Sequence, residues 1–259
     1  MRKKIPWWSE EYGFFGPFYI EGDNSLEGYR EKKQSLAERT AFEVKGITKL
    51  LSLNNKSKIL DAPCGYGRHS IALAKKGFDV IGIDINSKHL AQARRKKSAV
   101  QFVKKNMLNI NYKGAFDAVI NMFYSFGFFE TDEENERVLA NFYRALKPGG
   151  RLLMHTDVNM PRIISGQYKT DEIRTLKSGK KLHIIDYYNK RTKRIDGVWI
   201  IVDKNSKQIL KDYSVRVYAK SEFVELCKKA GFKKCKAYSY WDGSPYSKEA
   251  EDMIIVATK

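Results

Sequence analysis

Within residues 59–70, the run Ile-Leu-Asp-Ala-Pro-Cys-Gly-Tyr-Gly-Arg-His-Ser brings together the carboxylate of Asp61, two glycines two positions apart (Gly65 and Gly67) and the start of a helical pattern. Glycine at a strand-to-helix turn lets backbone amides approach a ligand and permits positive φ. A second apolar run, Val80-Ile81-Gly82-Ile83, ends in Asp84, 23 positions after Asp61. That spacing puts a carboxylate at the tip of the neighbouring strand, where its two oxygens can accept from two ribose hydroxyls. The competing role for Asp84 is capping the helix that follows, for which Asn86 and Ser87 also compete. A dinucleotide asks for a third glycine, where this chain has Ser70, and would set its phosphates beside the Asp61 carboxylate. The pair of acids suits a positively charged nucleoside better.

Ligands of open α/β sheets bind beyond the carboxyl ends of the strands, so a proton-moving group belongs just after the fourth or fifth strand. Tyr124, His155 and Asp157 stand at those places, Tyr124 close to Asn121 and Ser125. An imidazole titrates near neutral pH and can act as a base. The competing role for His155 is a packed, hydrogen-bonded core residue. Tyr124, Asp157, Arg216, Tyr218 and Trp241 are the candidate contacts to a second substrate, with the alternating faces of half-buried strands as the other explanation. Phe123, Phe126, Phe128 and Phe129 either wall a pocket or fill the core.

The elements that must position these groups follow an alternating βα rhythm, the pattern of a parallel sheet covered on both faces. It predicts strands over 58–61, 79–84, 100–104, 116–122 and 151–157, with helices over 69–76, 87–97 and 133–146. A further helix over 35–53 leads into the core. Lys147-Pro148-Gly149-Gly150 ends the last core helix and turns the chain into the fifth strand. Beyond Asp157 three strands are expected, over 181–188, 194–202 and 208–218, as an inserted antiparallel meander. A helix over 221–230 and two antiparallel strands, 233–241 and 252–258, complete the sheet. The expected division is a lid or cap at 1–34, the core at 35–160, an insert roofing the second-substrate site at 161–220, and the completion of the core at 221–259. The aromatics of the first segment (Trp7, Trp8, Tyr12, Phe14, Phe15, Phe18, Tyr19) show no clear period, which is why a cap is expected there.

The chain has 259 residues, 42% of them hydrophobic, enough for one large domain or a core with an insertion. No apolar run reaches the roughly 18 to 20 residues of a membrane span, and the N-terminus lacks the apolar stretch of a secretory signal. A cytoplasmic protein is expected. Three cysteines without a CxxC pair suggest neither a disulfide framework nor a zinc site, and no metal is expected. A formal charge of +18 at pH 7 favours polyanions, but lysine and arginine recur along the whole chain without a separate basic domain. A solvated lysine-rich surface and a working RNA surface both explain it.

Five segments in register make the chain resemble the class I S-adenosylmethionine (SAM) dependent methyltransferases: Asp61-x-x-Cys64-Gly65-x-Gly67, Asp84, Asn106-Met107, Phe116-Asp117-Ala118-Val119 and Leu146-Lys147-Pro148-Gly149-Gly150. The resemblance covers residues 36–158 and implies a Rossmann-like, seven-stranded, mostly parallel α/β sheet with an antiparallel terminal hairpin. Its cofactor would be SAM, whose ammonium and sulfonium suit Asp61. By position, Asp61 and the loop Ala62, Pro63, Cys64, Gly65, Gly67 and Arg68 would hold the methionine moiety. Asp84 would hold the ribose, Ile85 one adenine face, and Asn106 with the Met107 amide the adenine edge, with Asn121 close by. The family usually has Asp at position 106, and Pro63 and Tyr66 replace commoner residues. An amide oxygen can still accept from the adenine amine. The segment before the core is similar to that of small-molecule N-methyltransferases of the glycine and amino-sugar type, which implies Arg39 for the SAM carboxylate, with Tyr19 as its partner. The expected reaction is in-line transfer of a methyl group to a small-molecule nitrogen or oxygen, by a monomer or homodimer. An RNA (tRNA) methyltransferase and a non-catalytic SAM-binding protein are the alternatives.

Overall fold

Two apolar faces per strand, as in Ile59 and Leu60 pointing opposite ways into separate cores, require helices on both sides of the central sheet. The computed structural model describes residues 8, 10, 13–16, 18–23, 35–123, 125–158, 160–166, 168, 171–210, 212–247, 249–250 and 252–259. Its core strands are β1 (Lys58–Asp61), β2 (Asp79–Asp84), β3 (Gln101–Lys104), β4 (Phe116–Asn121) and β5 (Leu146–Thr156). The insert supplies β6 (Asp171–Thr175), β7 (Lys181–Asn189), β8 (Arg194–Asp203), β9 (Ser206–Ile209) and β10 (Tyr213–Arg216), and the chain closes with β11 (Lys234–Tyr238) and β12 (Met253–Thr258). The helices are α1 (Tyr19–Asp23), α2 (Leu36–Leu50), α3 (Arg68–Lys75), α4 (Ser87–Arg95), α5 (Asp132–Ala145), α6 (Met160–Ile164) and α7 (Lys220–Lys229).

The seven-stranded sheet has the order β11-β12-β5-β4-β1-β2-β3. β1 to β5 pair in parallel, while β12 is antiparallel to both of its neighbours. β1 lies next to β4 on one side and β2 on the other, so the chain reverses its direction of travel across the sheet at β1. The crevice beyond β1 is the place where such sheets take ligands. Ser35 and Glu38 form a capping box that starts α2, and Thr131 with Glu134 does the same for α5.

Two differences from the sequence expectation have local causes. The 147–150 turn lies inside β5, because Phe116 pairs with Leu146 before a register shift and Ala118 then pairs with Arg151. The expected third meander strand is two strands on one edge of β8. Ile209 pairs with Ile200, but Tyr213 pairs with Gly197, so the two strands are offset from one another by one residue along β8. With that offset both Leu210 and Tyr213 are buried. β6 extends the insert by a strand that the alternation pattern did not reveal.

The three cysteines are free thiols. Among the described residues, no helix is long and apolar enough to cross a membrane, and no group of histidine, cysteine and acidic side chains has the arrangement of a metal site.

Candidate functional site

The tips of β1 to β4 open into a cavity of about 710 Å³. Its floor is built from Pro63, Cys64 and Gly65 after β1, Asp84 and Ile85 at β2, Asn106 and Met107 after β3, and Met122 and Phe123 after β4. Arg194 of β8 and Asp212, Tyr213 and Ser214 at β10 reach it from the insert, and Trp8, Phe15 and Tyr19 from the N-terminal segment.

The loop after β1 is pinned to β2 by backbone: the Cys64 N–H donates to the Ile83 carbonyl at 2.8 Å, and the Gly67 N–H donates to the Cys64 carbonyl at 2.9 Å. Gly65 and Gly67 both have positive φ, +53° and +78°, but for different reasons. A Cβ on Gly65 would meet nothing within 4 Å, because it would project into open space; on Gly67 it would lie 2.7 Å from the Phe102 ring and 3.0 Å from Ala93. Gly65 therefore keeps the cavity open, whereas Gly67 lets the loop and α4 pack against β3.

Asp84 is buried and joins the two segments. Its Oδ2 accepts the Gly65 N–H and its Oδ1 accepts the Asn86 N–H, both at 2.8 Å. The cap of α4 is Asn86, whose side chain accepts the His89 N–H, so Asp84 is not spent on capping. Burial pushes the Asp84 carboxyl up, opposed by those backbone N–H donors. Asp61 lies beneath the loop, with the Ser70 hydroxyl donating to its Oδ2 at 2.5 Å and its buried Oδ1 unpaired. Burial, aided by the nearby Asp84 charge and opposed by the Ser70 hydrogen bond, pushes Asp61 up to about 7. A cationic nucleoside fits this set. The set has an unpaired carboxylate oxygen on Asp61, buried behind the cavity lining, a second carboxylate in the lining whose oxygens each keep capacity for another donor, and an open face over Gly65.

Beside the loop, buried Glu43 of α2 accepts from Arg68 at 2.5 Å and Arg39 at 2.8 Å, and its Oε2 lies 2.8 Å from His69 Nε2. The neighbouring His69 and two guanidinium groups outweigh burial and hold the Glu43 carboxyl far below its usual range. Burial lowers His69 to about 4, so its ring is neutral at pH 7. Arg39 and Arg68 each sit over the Phe123 ring, at 4.7 and 4.6 Å. Arg68 lines the cavity; Arg39 does not.

Of the other positions singled out from the sequence, Tyr19, Ile85, Asn106 and Met107 line the cavity. The Asn106 carboxamide oxygen already accepts the Leu108 N–H at 2.9 Å. Ala62 and Asn121 support the floor from below, the Asn121 amide donating to the Ala62 carbonyl at 2.7 Å. His155 takes the core role: it is buried between Phe123 and Trp241, ring centroids 4.8 and 4.9 Å away, with Asp252 3.5 Å from Nε2. Asp157 is exposed beyond β5, and Trp241 packs against Gly46. Arg216 donates to Glu222 and Tyr218 to Asp132, contacts that fasten the insert to α7 and α5. None of these five lines the cavity, and Tyr124 lies outside the described residues. Phe123 in the floor and Phe128 and Phe129 beside it line the cavity, while Phe126 is in the core.

The sequence reading missed Glu130, Glu134, Arg194, Asp212, Tyr213 and Ser214, which form the roof side. The Arg194 guanidinium is held by the Gly127, Phe129 and Ser214 carbonyls and the Ser214 hydroxyl, so it clasps the post-β4 segment to the insert. Of the aromatic N-terminal segment, Trp8, Phe15 and Tyr19 face the cavity, and the Asn86 side chain donates to the Phe15 carbonyl at 2.8 Å. Trp7 and Tyr12 lie outside the described residues.

Residues 59–150 match the family described as methyltransferase domain. The chain is 40% identical over 106 residues to "Putative methyltransferase YqeM" of Bacillus subtilis (strain 168), covering 39% of this chain and 43% of that protein. It is 32% identical over 138 residues to the glycine/sarcosine N-methyltransferase of Aphanothece halophytica, covering 50% and 52%. The chain thus spans about half the length of these curated relatives. Among solved structures, the CcbJ methyltransferase from Streptomyces caelestis is similar with a TM-score of 0.73 at 13% identity, over 90% of this chain and 96% of that one. SAM-bound CalS10, an amino pentose methyltransferase from Micromonospora echinaspora, gives 0.65 at 21% identity, over 89% and 94%. The fold is that of the class I SAM-dependent methyltransferases.

Proposed function

We propose, taking this methyltransferase core as premise, that the protein transfers a methyl group from SAM to a nitrogen or oxygen of a small molecule. The observation that carries the reading is Asp84 at the cavity floor, clamped by the Gly65 and Asn86 amides, with the unpaired Asp61 oxygen behind it. Asp84 would receive the ribose hydroxyls and Ile85 an adenine face. Asn106 and the Met107 amide would meet the adenine edge. The open face over Gly65, Asp61 and Arg68 would hold the methionine end, with Arg39 sharing the Glu43 carboxylate that steadies Arg68. When bound, SAM supplies a methyl on a sulfonium sulfur whose departure leaves a neutral thioether.

The chain's own task is then alignment and dryness. Holding an acceptor in line near 3 Å can supply several kcal/mol of the barrier by proximity. Phe15, Phe128, Phe129 and Tyr213 wall the acceptor side and exclude water, while Ser125, Glu130, Glu134 and Asp212 offer polar contacts. No base is needed for an acceptor that arrives deprotonated. With His155 in the core, proton removal falls to a cavity acid or to solvent.

The test is incubation with methyl-labelled SAM and, separately, glycine, sarcosine, a nucleotide-linked amino sugar and bulk tRNA. Label appearing on a small amine, with matching release of S-adenosylhomocysteine, supports the reading. Label moving to tRNA alone overturns it in favour of the RNA alternative suggested by the +18 charge.

A further inference from the structure

Beside Asp84, the cavity is lined by a side chain whose buried polar atom neither the glycine loop nor Asp84 accounts for. His89 is the third residue of α4, and the Asn86 cap fixes the turn that carries it, accepting the His89 N–H at 3.0 Å. Its side chain lines the cavity yet is 4% exposed, packed between Tyr19 and Tyr66 at centroid distances of 5.7 and 6.4 Å. The ring nitrogen Nε2 is shielded and has no hydrogen-bond partner. Burial lowers the imidazole to about 4, with Glu10 opposing, so the ring is neutral at pH 7 and Nε2 either donates or accepts according to tautomer.

Buried polar side chains are almost always paired, and the His89 ring lines the cavity, so its unpaired nitrogen calls for a partner from the ligand. The partner's chemistry follows from its surroundings. His89 shares its stretch of wall with Asp84, Ile85 and Asn86. Each Asp84 oxygen already holds one backbone N–H, so a diol placed there gains from another polar side chain. A hydroxyl matches either tautomer, because it can accept from Nε2–H or donate to a bare Nε2.

We propose that His89 Nε2 hydrogen-bonds a ribose hydroxyl of the nucleoside held by Asp84, which makes His89 a determinant of ribose over deoxyribose. This rests on the SAM reading above. His89 is a binding residue, and its effect is confined to the sugar.

Calorimetry with S-adenosylhomocysteine and its 2′-deoxy and 3′-deoxy forms tests the assignment on wild type, His89→Phe and His89→Gln. One lost hydrogen bond corresponds to about a fivefold weaker dissociation constant for His89→Phe. The expected result is that loss with the parent compound, no loss with one of the two deoxy forms, and partial recovery in His89→Gln, whose amide can still bond a hydroxyl. Equal weakening for all three compounds, or for none, overturns the proposal. If the Phe variant does not fold, His89→Gln against the same three compounds reads the same coupling at smaller amplitude. Failure of wild type to bind the parent compound overturns the SAM reading itself. Normal wild-type binding with equal effects across the three compounds overturns only the role of His89.

Discussion

The floor and the roof of the cavity are built by different means. The floor follows the strand tips of the core, from the turn at Gly65 to Phe123, with two backbone amides fixing Asp84 in it. The roof is side chains from β8 and β10, brought over the floor by pairing across the insert and by the Arg194 clasp to the Gly127 and Phe129 carbonyls. A floor made this way fixes one ligand, whereas a roof of exchangeable side chains can change the acceptor while the floor stays the same. Variants on each side should therefore separate cofactor affinity from acceptor use and insert stability.

The largest separation is expected from Asp84→Ala against Tyr213→Phe. Losing a carboxylate that would receive two hydroxyls costs about 3 kcal/mol or more, roughly a hundredfold weaker S-adenosylhomocysteine binding by calorimetry. Tyr213→Phe should leave that affinity within about threefold. Comparable losses in both would erase the division of labour.

Next comes a stability test on the roof. Asp186, Gly197 and Tyr213 are cross-strand partners, and the Tyr213 hydroxyl reaches over Gly197 to donate to the buried Asp186 carboxylate, which also accepts from Tyr168 at 2.8 Å. A Cβ on Gly197 would fall 2.2 Å from Asp186 Oδ1. Gly197→Ala should cost about 1–3 kcal/mol, seen as a melting temperature lower by several degrees, with cofactor affinity nearly unchanged.

A finer contrast lies within the loop. Gly67→Ala meets the Phe102 ring as well as a strained φ, and should lower thermal stability by about 1–3 kcal/mol. Gly65→Ala carries only the conformational penalty, about 1 kcal/mol, and should instead weaken the ligand because its methyl enters the cavity. If Gly65→Ala were the less stable variant with unaltered affinity, the assignment of the two glycines would be reversed.

The smallest effect concerns pH. With its pKa raised by burial to about 7, Asp61 is mostly protonated at pH 6 in the free protein. Its contribution to folding is present below its unfolded value near 4 and is lost as pH rises through 7. A ligand ammonium favours the ionised form, so S-adenosylhomocysteine affinity should rise severalfold between pH 6 and 8. In Asp61→Asn both trends should flatten; an unchanged profile would assign the titration elsewhere.

The same contrast governs what was legible in the sequence. Asp61, Gly65 and Asp84 lie within 24 residues, their types are dictated by backbone needs, and the element order around them follows from hydrophobic period. Asp212 and Ser214 were hidden because they reach the cavity through the pairing of β10 with β8, a long-range contact that the local alternation pattern does not reveal. His155 was ambiguous for another reason. A histidine at a strand end has one appearance in sequence, and only the packing of Phe123 and Trp241 against it decides that it is core. His89 left no signal beyond its place three residues after a capping asparagine.

The most direct test of the central claim is a calorimetric titration of the wild-type protein with S-adenosylhomocysteine, run beside an identical titration with NAD. Saturable one-to-one binding of the former, at least tenfold tighter than the latter, is the predicted result. No heat with S-adenosylhomocysteine, or tighter binding of NAD, would contradict it.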